Sequence, residues 1–157
     1  MGQIKYTEHM LLCSLLLLLS YVVFSDLKFR RISNKAVGCA LFLSMLIGHN
    51  HFSIEYIYSL AFLYFVLLII YGLKVIGGGD IKLMAALSLA TPSSFWPYTY
   101  VVITVIGGLL ALVYLILQFI DNRFQLGLIK LFGIPYGIAI SFGFVFSIMQ
   151  YIYVGEV

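Results

Sequence analysis

Two aspartates in this chain stand where acid–base chemistry could be built. Asp80 closes the run Gly77-Gly78-Gly79-Asp80 and opens the apolar stretch that begins Ile81-Lys82-Leu83-Met84-Ala85-Ala86. Three glycines leave the backbone bare beside the acid, so water or an extended peptide could come close, and glycine adopts positive φ, which other residues resist. Taken alone, the segment also reads as a glycine turn with an aspartate capping a helix. Asp26 follows the apolar run from Met10 to Phe24 and precedes Leu27-Lys28-Phe29-Arg30-Arg31-Ile32-Ser33-Asn34. On its own it reads as a boundary acid neutralised by neighbouring cations. The pair changes that weighting, because two carboxyls sharing one site cannot both ionise cheaply and so supply a general base and a general acid together. Asp121, in Asp121-Asn122-Arg123, has a cation two residues away and no glycine approach, and reads as a solvated boundary group.

Other chemistries find less support. His49 and His51 have the spacing of two metal ligands but no third ligand nearby, and read as polar residues of a loop. Cys13 and Cys39 form neither a paired-cysteine spacing nor a zinc-like cluster, and read as packing residues. Lys82 lies two positions from Asp80, so the two do not share a helix face, and its simpler role is to anchor the helix at the membrane surface.

The elements that must position the acids are membrane helices. Of 157 residues, 63% are hydrophobic and 10% charged, and the mean hydropathy is +1.10, against about a quarter charged in an ordinary soluble domain. Six apolar stretches run from Met10 to Phe24, Ala36 to Ile47, Ile54 to Val75, Ile81 to about Ser94, Tyr98 to Ile120 and Ile134 to Val154. The third, fifth and sixth are long enough to span alone; the second and fourth are too short to be judged on length. Charge decides those two. With six crossings and an outside N-terminus, Lys28, Arg30, Arg31, Lys35, Lys74, Lys82, Arg123 and Lys130 fall on the cytoplasmic side and only Lys5 outside. Glu8, Glu55 and Glu156 then belong to the outer edges. No small-x-small cleavage site follows the first apolar run, so it is retained as helix one instead of a signal peptide. The fold class is thus all-α, a polytopic membrane protein with six transmembrane helices and one domain over residues 1–157. Asp26 and Asp80 can meet if the first and fourth helices pack together.

Gly77-x-Gly79-Asp80 with the residues after it, Asp26 with Arg31-Ile32-Ser33-Asn34, and Ile134-Pro135-Tyr136-Gly137-Ile138-Ala139-Ile140 with Gly143 together resemble the type IV prepilin peptidases. A lone GxGD would be weak; three segments in order on a six-helix chain cover nearly its whole length. The resemblance implies an aspartic endopeptidase that removes the leader of prepilins or pseudopilins at the inner face of the bacterial cytoplasmic membrane. It implies Asp26 and Asp80 as the catalytic pair, with Gly77, Gly79, Lys82, Pro135 and Tyr136 shaping the site or binding substrate. It calls for no cofactor, metal or nucleic acid; the partners are the substrate and the lipid bilayer. Ser33 stands where the family often has proline, which bears on the turn. The cysteine-bearing loop of larger bifunctional members is missing, so peptidase without N-methyltransferase activity is expected, as in the peptidases of tight-adherence (Flp) pilus systems.

In such a pair the charged carboxylate takes a proton from water while its partner protonates the leaving group. Asp80 begins a helix and Asp26 ends one, so the helix dipoles point to Asp80 as the resting base. Gly133 and Gly137 have the spacing of a close helix contact around Pro135. The competing class is a small proton- or cation-coupled transporter, with the glycines as a helix break, although its ionisable groups would sit more naturally near the bilayer midplane. A third reading, a structural subunit of a secretion machine, would need neither aspartate.

Overall fold

A computed structural model describes residues 2–74, 76–124 and 135–154; Lys130, Gly133, Ile134 and Glu156 lie outside them. The described residues form six α-helices, α1 (Gly2–Phe29), α2 (Asn34–Ile47), α3 (Ile54–Gly72), α4 (Gly78–Ser88), α5 (Trp96–Phe124) and α6 (Tyr136–Val154), with single 3₁₀ turns at His49–His51 and Ser93–Phe95. Three helical segments, His9–Phe29, Ile54–Gly72 and Ser93–Asp121, are long and apolar enough to cross a membrane, and α2 and Tyr136–Tyr151 are shorter apolar helices. Only 11% of the most apolar window of α3, and the same share of that of α5, is buried within the protein. Helices apolar all round with so little of their surface covered are suited to lipid contact. Cys13 and Cys39 are exposed, so the expectation that they pack inside is corrected: they lie on the outer face of the bundle.

The fourth apolar stretch differs from its expected extent. Its helix stops at Ser88, because Leu89-Ala90 turn and Pro92 follows, and a proline cannot continue a helix it would have to hydrogen-bond within. Eleven residues reach about 16 Å, so α4 is too short to cross a bilayer by itself. It is instead the most enclosed helix: Ile81, Leu83, Met84, Ala86, Leu87 and Ser88 are all buried, among α2, α3 and α6. α2 lies parallel to it. Lys82 Nζ donates to Asn34 Oδ1 at 3.3 Å where both helices start, and where both end the backbone of Leu89 occupies the space that a Cβ on Gly48 would need.

α5 and α6 run antiparallel. Their register is read from Thr99 against Ser147, whose hydroxyls are hydrogen-bonded at 2.5 Å, Ile103 against Gly143, and Tyr136 against Gly107. The end of the bundle where α4 finishes is aromatic. There the hydroxyl of Tyr56 and the indole N–H of Trp96 both donate to the carbonyls of Ser88 and Thr91, satisfying carbonyls left over where α4 stops. His51 stacks edge-on to Tyr151 at 4.6 Å, so this histidine is part of the cap and not only a polar loop residue. The opposite end, where α1 finishes and α4 begins, carries Lys28, Arg30, Arg31, Lys35, Lys74 and Lys82.

Because the atom that a Cβ at position 48 would strike is backbone, Gly48→Ala should destabilise the protein by about 1–3 kcal/mol, the range for overpacking. Gly38→Ala, which meets nothing within 4 Å, should be neutral or slightly stabilising. Thermal unfolding of the two variants in detergent measures the difference.

Candidate functional site

Asp26 lies in the last turn of α1, at 7% exposure. A buried carboxyl requires hydrogen-bond donors, and one of its oxygens accepts the backbone N–H of Gly137 at 2.9 Å. That N–H belongs to the first turn of α6, where the helix offers it no carbonyl. Asp26 therefore ends one helix and faces the start of another, a circumstance that its own helix position did not reveal. The chain around it is fixed locally. Arg30 N–H reaches back to Asp26 O with Arg30 at φ 52°, a left-handed helix ending. Ser25 Oγ donates to Arg31 O. Ser33 caps α2, accepting from the N–H of Ala36 at 3.1 Å.

Asp80 is the third helical residue of α4, half-buried, with Gly77 as the N-cap residue. Its side chain folds back over the cap: a Cβ on Gly77 would come within 2.8 Å of Asp80 Oδ2. Gly77 has φ −62° and ψ 141°, and the positive φ values of non-glycine residues occur at Arg30 and Lys74. The expected positive-φ role of the glycine run is thus corrected; what the glycines supply is space. A Cβ on Gly79 would be 3.3 Å from Ile32 Cβ, and one on Gly78 3.0 Å from the ring of Tyr71, an exposed side chain that can swing aside.

The two carboxyls lie within electrostatic reach of each other, and the Tyr136 hydroxyl within reach of Asp80. α2 and α6 each pack against both α1 and α4, and these two neighbours carry the acids toward one another. Pro135 precedes α6 and is half-buried, as is Tyr136. The Tyr136 ring fills a notch in α5, since a Cβ on Gly107 would come within 2.6 Å of three of its atoms. Lys82 is exposed and bonded to Asn34, which ties α4 to α2 and adds a structural role to membrane anchoring.

Asp121 is 8% exposed, which corrects its reading as a solvated group. Along α5 it lies fourteen residues beyond Gly107, about 21 Å, and so stands apart from the pair. Among the described residues no three of His, Cys, Asp and Glu gather as metal ligands. An apolar hollow of about 720 Å³ between α3 and α5, bounded by Phe62, Val66, Trp96 and Tyr100, belongs to the aromatic end and not to the acids. Gly107 and the Gly137 N–H were not foreseen; GlyGly at 107–108 was visible, but not which of the two faces α6.

The N-cap makes a measurable contribution. Ser33→Ala should cost about 1 kcal/mol of stability, read from thermal unfolding, and Ser33→Asp should recover most of it.

Residues 11–116 match the model of the type IV leader peptidase family. Comparison with curated proteins and with solved structures finds no match.

Proposed function

From the premise that this chain belongs to the type IV leader peptidase family, the aspartic-type prepilin leader peptidases, we propose that Asp26 and Asp80 are its catalytic pair. We further propose that its substrates are Flp-like prepilins or pseudopilins. The observation that carries the reading is the convergence of two acids at one end of the bundle: Asp26 held by Gly137 N–H, Asp80 within reach of it, and Gly77 to Gly79 presenting bare backbone beside them.

The reaction is hydrolysis of the peptide bond after the leader. One carboxylate takes a proton from water, whose oxygen bonds to the scissile carbonyl carbon; the partner carboxyl gives its proton to the leaving amine as the C–N bond breaks. The bare glycine segment lets an extended substrate backbone lie close to Asp80, and a Cβ on Gly79 would be 3.3 Å from that of Ile32. Both cysteines, Cys13 and Cys39, lie in helices and the loops between the helices carry none, which supports a peptidase of the tight-adherence (Flp) kind.

The arrangement in the membrane follows from where cations and aromatics lie. The acids share their end with Lys28, Arg30, Arg31, Lys35, Lys74 and Lys82, which belongs on the cytoplasmic side; Trp96, Tyr56, Tyr98 and Tyr151 form the opposite, interfacial end. Six crossings then place both termini outside. α4 completes its crossing inside a sleeve of protein, where a short helix is not required to match the lipid thickness.

Purified protein incubated in detergent with a leader-bearing Flp-like prepilin tests the proposal. Cleavage should occur without a gradient, and Asp26→Asn or Asp80→Asn should reduce it by at least about a thousandfold with insertion intact. Either variant retaining substantial activity removes the dyad, and a gradient requirement removes the peptidase reading. Gly79→Val should lose cleavage while Gly78→Ala, whose new methyl meets only the movable Tyr71 ring, retains most of it. In cells, cysteines introduced near Arg30 and Lys74 should react with impermeant label only from the cytoplasmic side, and those at Asn50 and Ser94 only from outside.

A further inference from the structure

The geometry at the start of α6 bears on how the two acids divide their roles. Gly137 lies 111 residues from Asp26 and outside the matched residues 11–116, yet its backbone touches the acid directly. Its N–H donates to Asp26 Oδ2 at 2.9 Å. A Cβ at this position would come within 2.8 Å of that same oxygen and 3.3 Å of Asp26 Cβ and Cγ. Asp26 thus lies against the open N-terminal turn of a 19-residue helix, whose partial positive charge and unpaired N–H groups favour an anion. Among the described residues Asp80 receives no comparable donor. Where only one of two neighbouring carboxyls is charged, the charge settles where donors already point.

We propose that Gly137 is a positioning residue which, through its N–H and its missing Cβ, holds Asp26 as the resting carboxylate, making Asp26 the general base and Asp80 the general acid. This rests on the Asp26–Asp80 reading and reverses the assignment that helix ends alone point to. Water gives its proton to Asp26 as its oxygen bonds to the scissile carbon. Asp80 gives its proton to the leaving nitrogen as the C–N bond breaks, and a proton passing from Asp26 to Asp80 restores the resting pair. Charged or titratable groups of the described residues at this end of the bundle include Lys28 on α1, Arg30 and Arg31 in the following loop, Lys35 on α2, Lys74 after α3, Lys82 on α4 and Tyr136 on α6.

The test measures kcat and KM against pH for prepilin cleavage by the full-length protein, its Gly137→Ala variant and its Gly143→Ala variant. Gly137→Ala should lower kcat about tenfold or more at neutral pH with KM within about twofold. The acid limb should move to higher pH, because the base is no longer held in its charged form, and part of the loss should return as pH rises. Gly143→Ala also crowds α6, against Ile103, and should lower thermal stability without moving the limb. An unmoved limb in Gly137→Ala, or an equal movement in Gly143→Ala, overturns the proposal. If both Asp→Asn variants still cleave, the pair itself falls; if both are inactive and the limb does not move, only the role of Gly137 falls. A second measurement is independent of how well Gly137→Ala folds. The infrared carbonyl band of a protonated carboxyl in the resting protein should shift in Asp80→Glu and stay in Asp26→Glu; the reverse, or no such band, also overturns the assignment.

Discussion

A carboxyl group withdrawn from solvent has to find a hydrogen-bond donor, and much of this bundle is arranged around how Asp26 finds one. The donor comes from the first turn of α6, where backbone N–H groups are unclaimed by the helix. For that turn to come within 2.9 Å of a side-chain oxygen, the residue there must lack a side chain and the helix must be held in register along its length. α5 supplies the register: Gly107 receives Tyr136, Ile103 receives Gly143, and Thr99 is bonded to Ser147. Each contact brings a small residue or a hydroxyl to the place where two helices approach most closely. In lipid, which gives no hydrophobic reward for helix association, such contacts are what hold helices together.

The same economy explains the short central helix. α4 is short and mostly enclosed by protein, and its ends are secured by neighbours instead of by lipid. At one end Lys82 bonds Asn34, and at the other Tyr56 and Trp96 take up the carbonyls of Ser88 and Thr91. α1 and α3 both end at the cationic side with a non-glycine residue at positive φ, Arg30 at 52° and Lys74 at 55°. Such a conformation costs on the order of 1 kcal/mol for a residue with a Cβ. A glycine would avoid that cost but would also remove a cation from the C-terminal end of a helix.

How much of this was legible in the sequence differs by scale. The six helices follow from apolar runs and from cation placement, because both are local properties of the chain. The acid pair follows from Asp26 and from Gly77-x-Gly79-Asp80, because carboxyls and glycines are rare enough near hydrocarbon to demand a reason. The partners were not legible. That Asp26 meets Gly137, that α2 and α6 bridge α1 and α4, and that Gly107 instead of Gly108 faces Tyr136 depend on helix rotation, which a helix apolar on every side does not encode in its pattern. Asp121 and the two cysteines fail for the same reason: boundary position and residue type say where along a helix a group lies, not which way it faces.

Burial of two acids at one end of a membrane protein would ordinarily be costly, since each repels the other and neither has water in full. Here each is set against the N-terminal turn of a helix, Asp80 at the third residue of α4 and Asp26 against the second residue of α6. Two partial positive charges on the order of half a unit each oppose the repulsion without introducing a cation. A lysine or arginine inserted between them would lower the same cost, but it would stabilise both carboxylates and leave no proton to give. Helix termini favour charge without demanding it, which in the proposed catalytic pair leaves one carboxyl able to keep its proton. That distinction gives a physical reason for Asp26 to be met by a backbone N–H instead of by a cation side chain inserted between the acids.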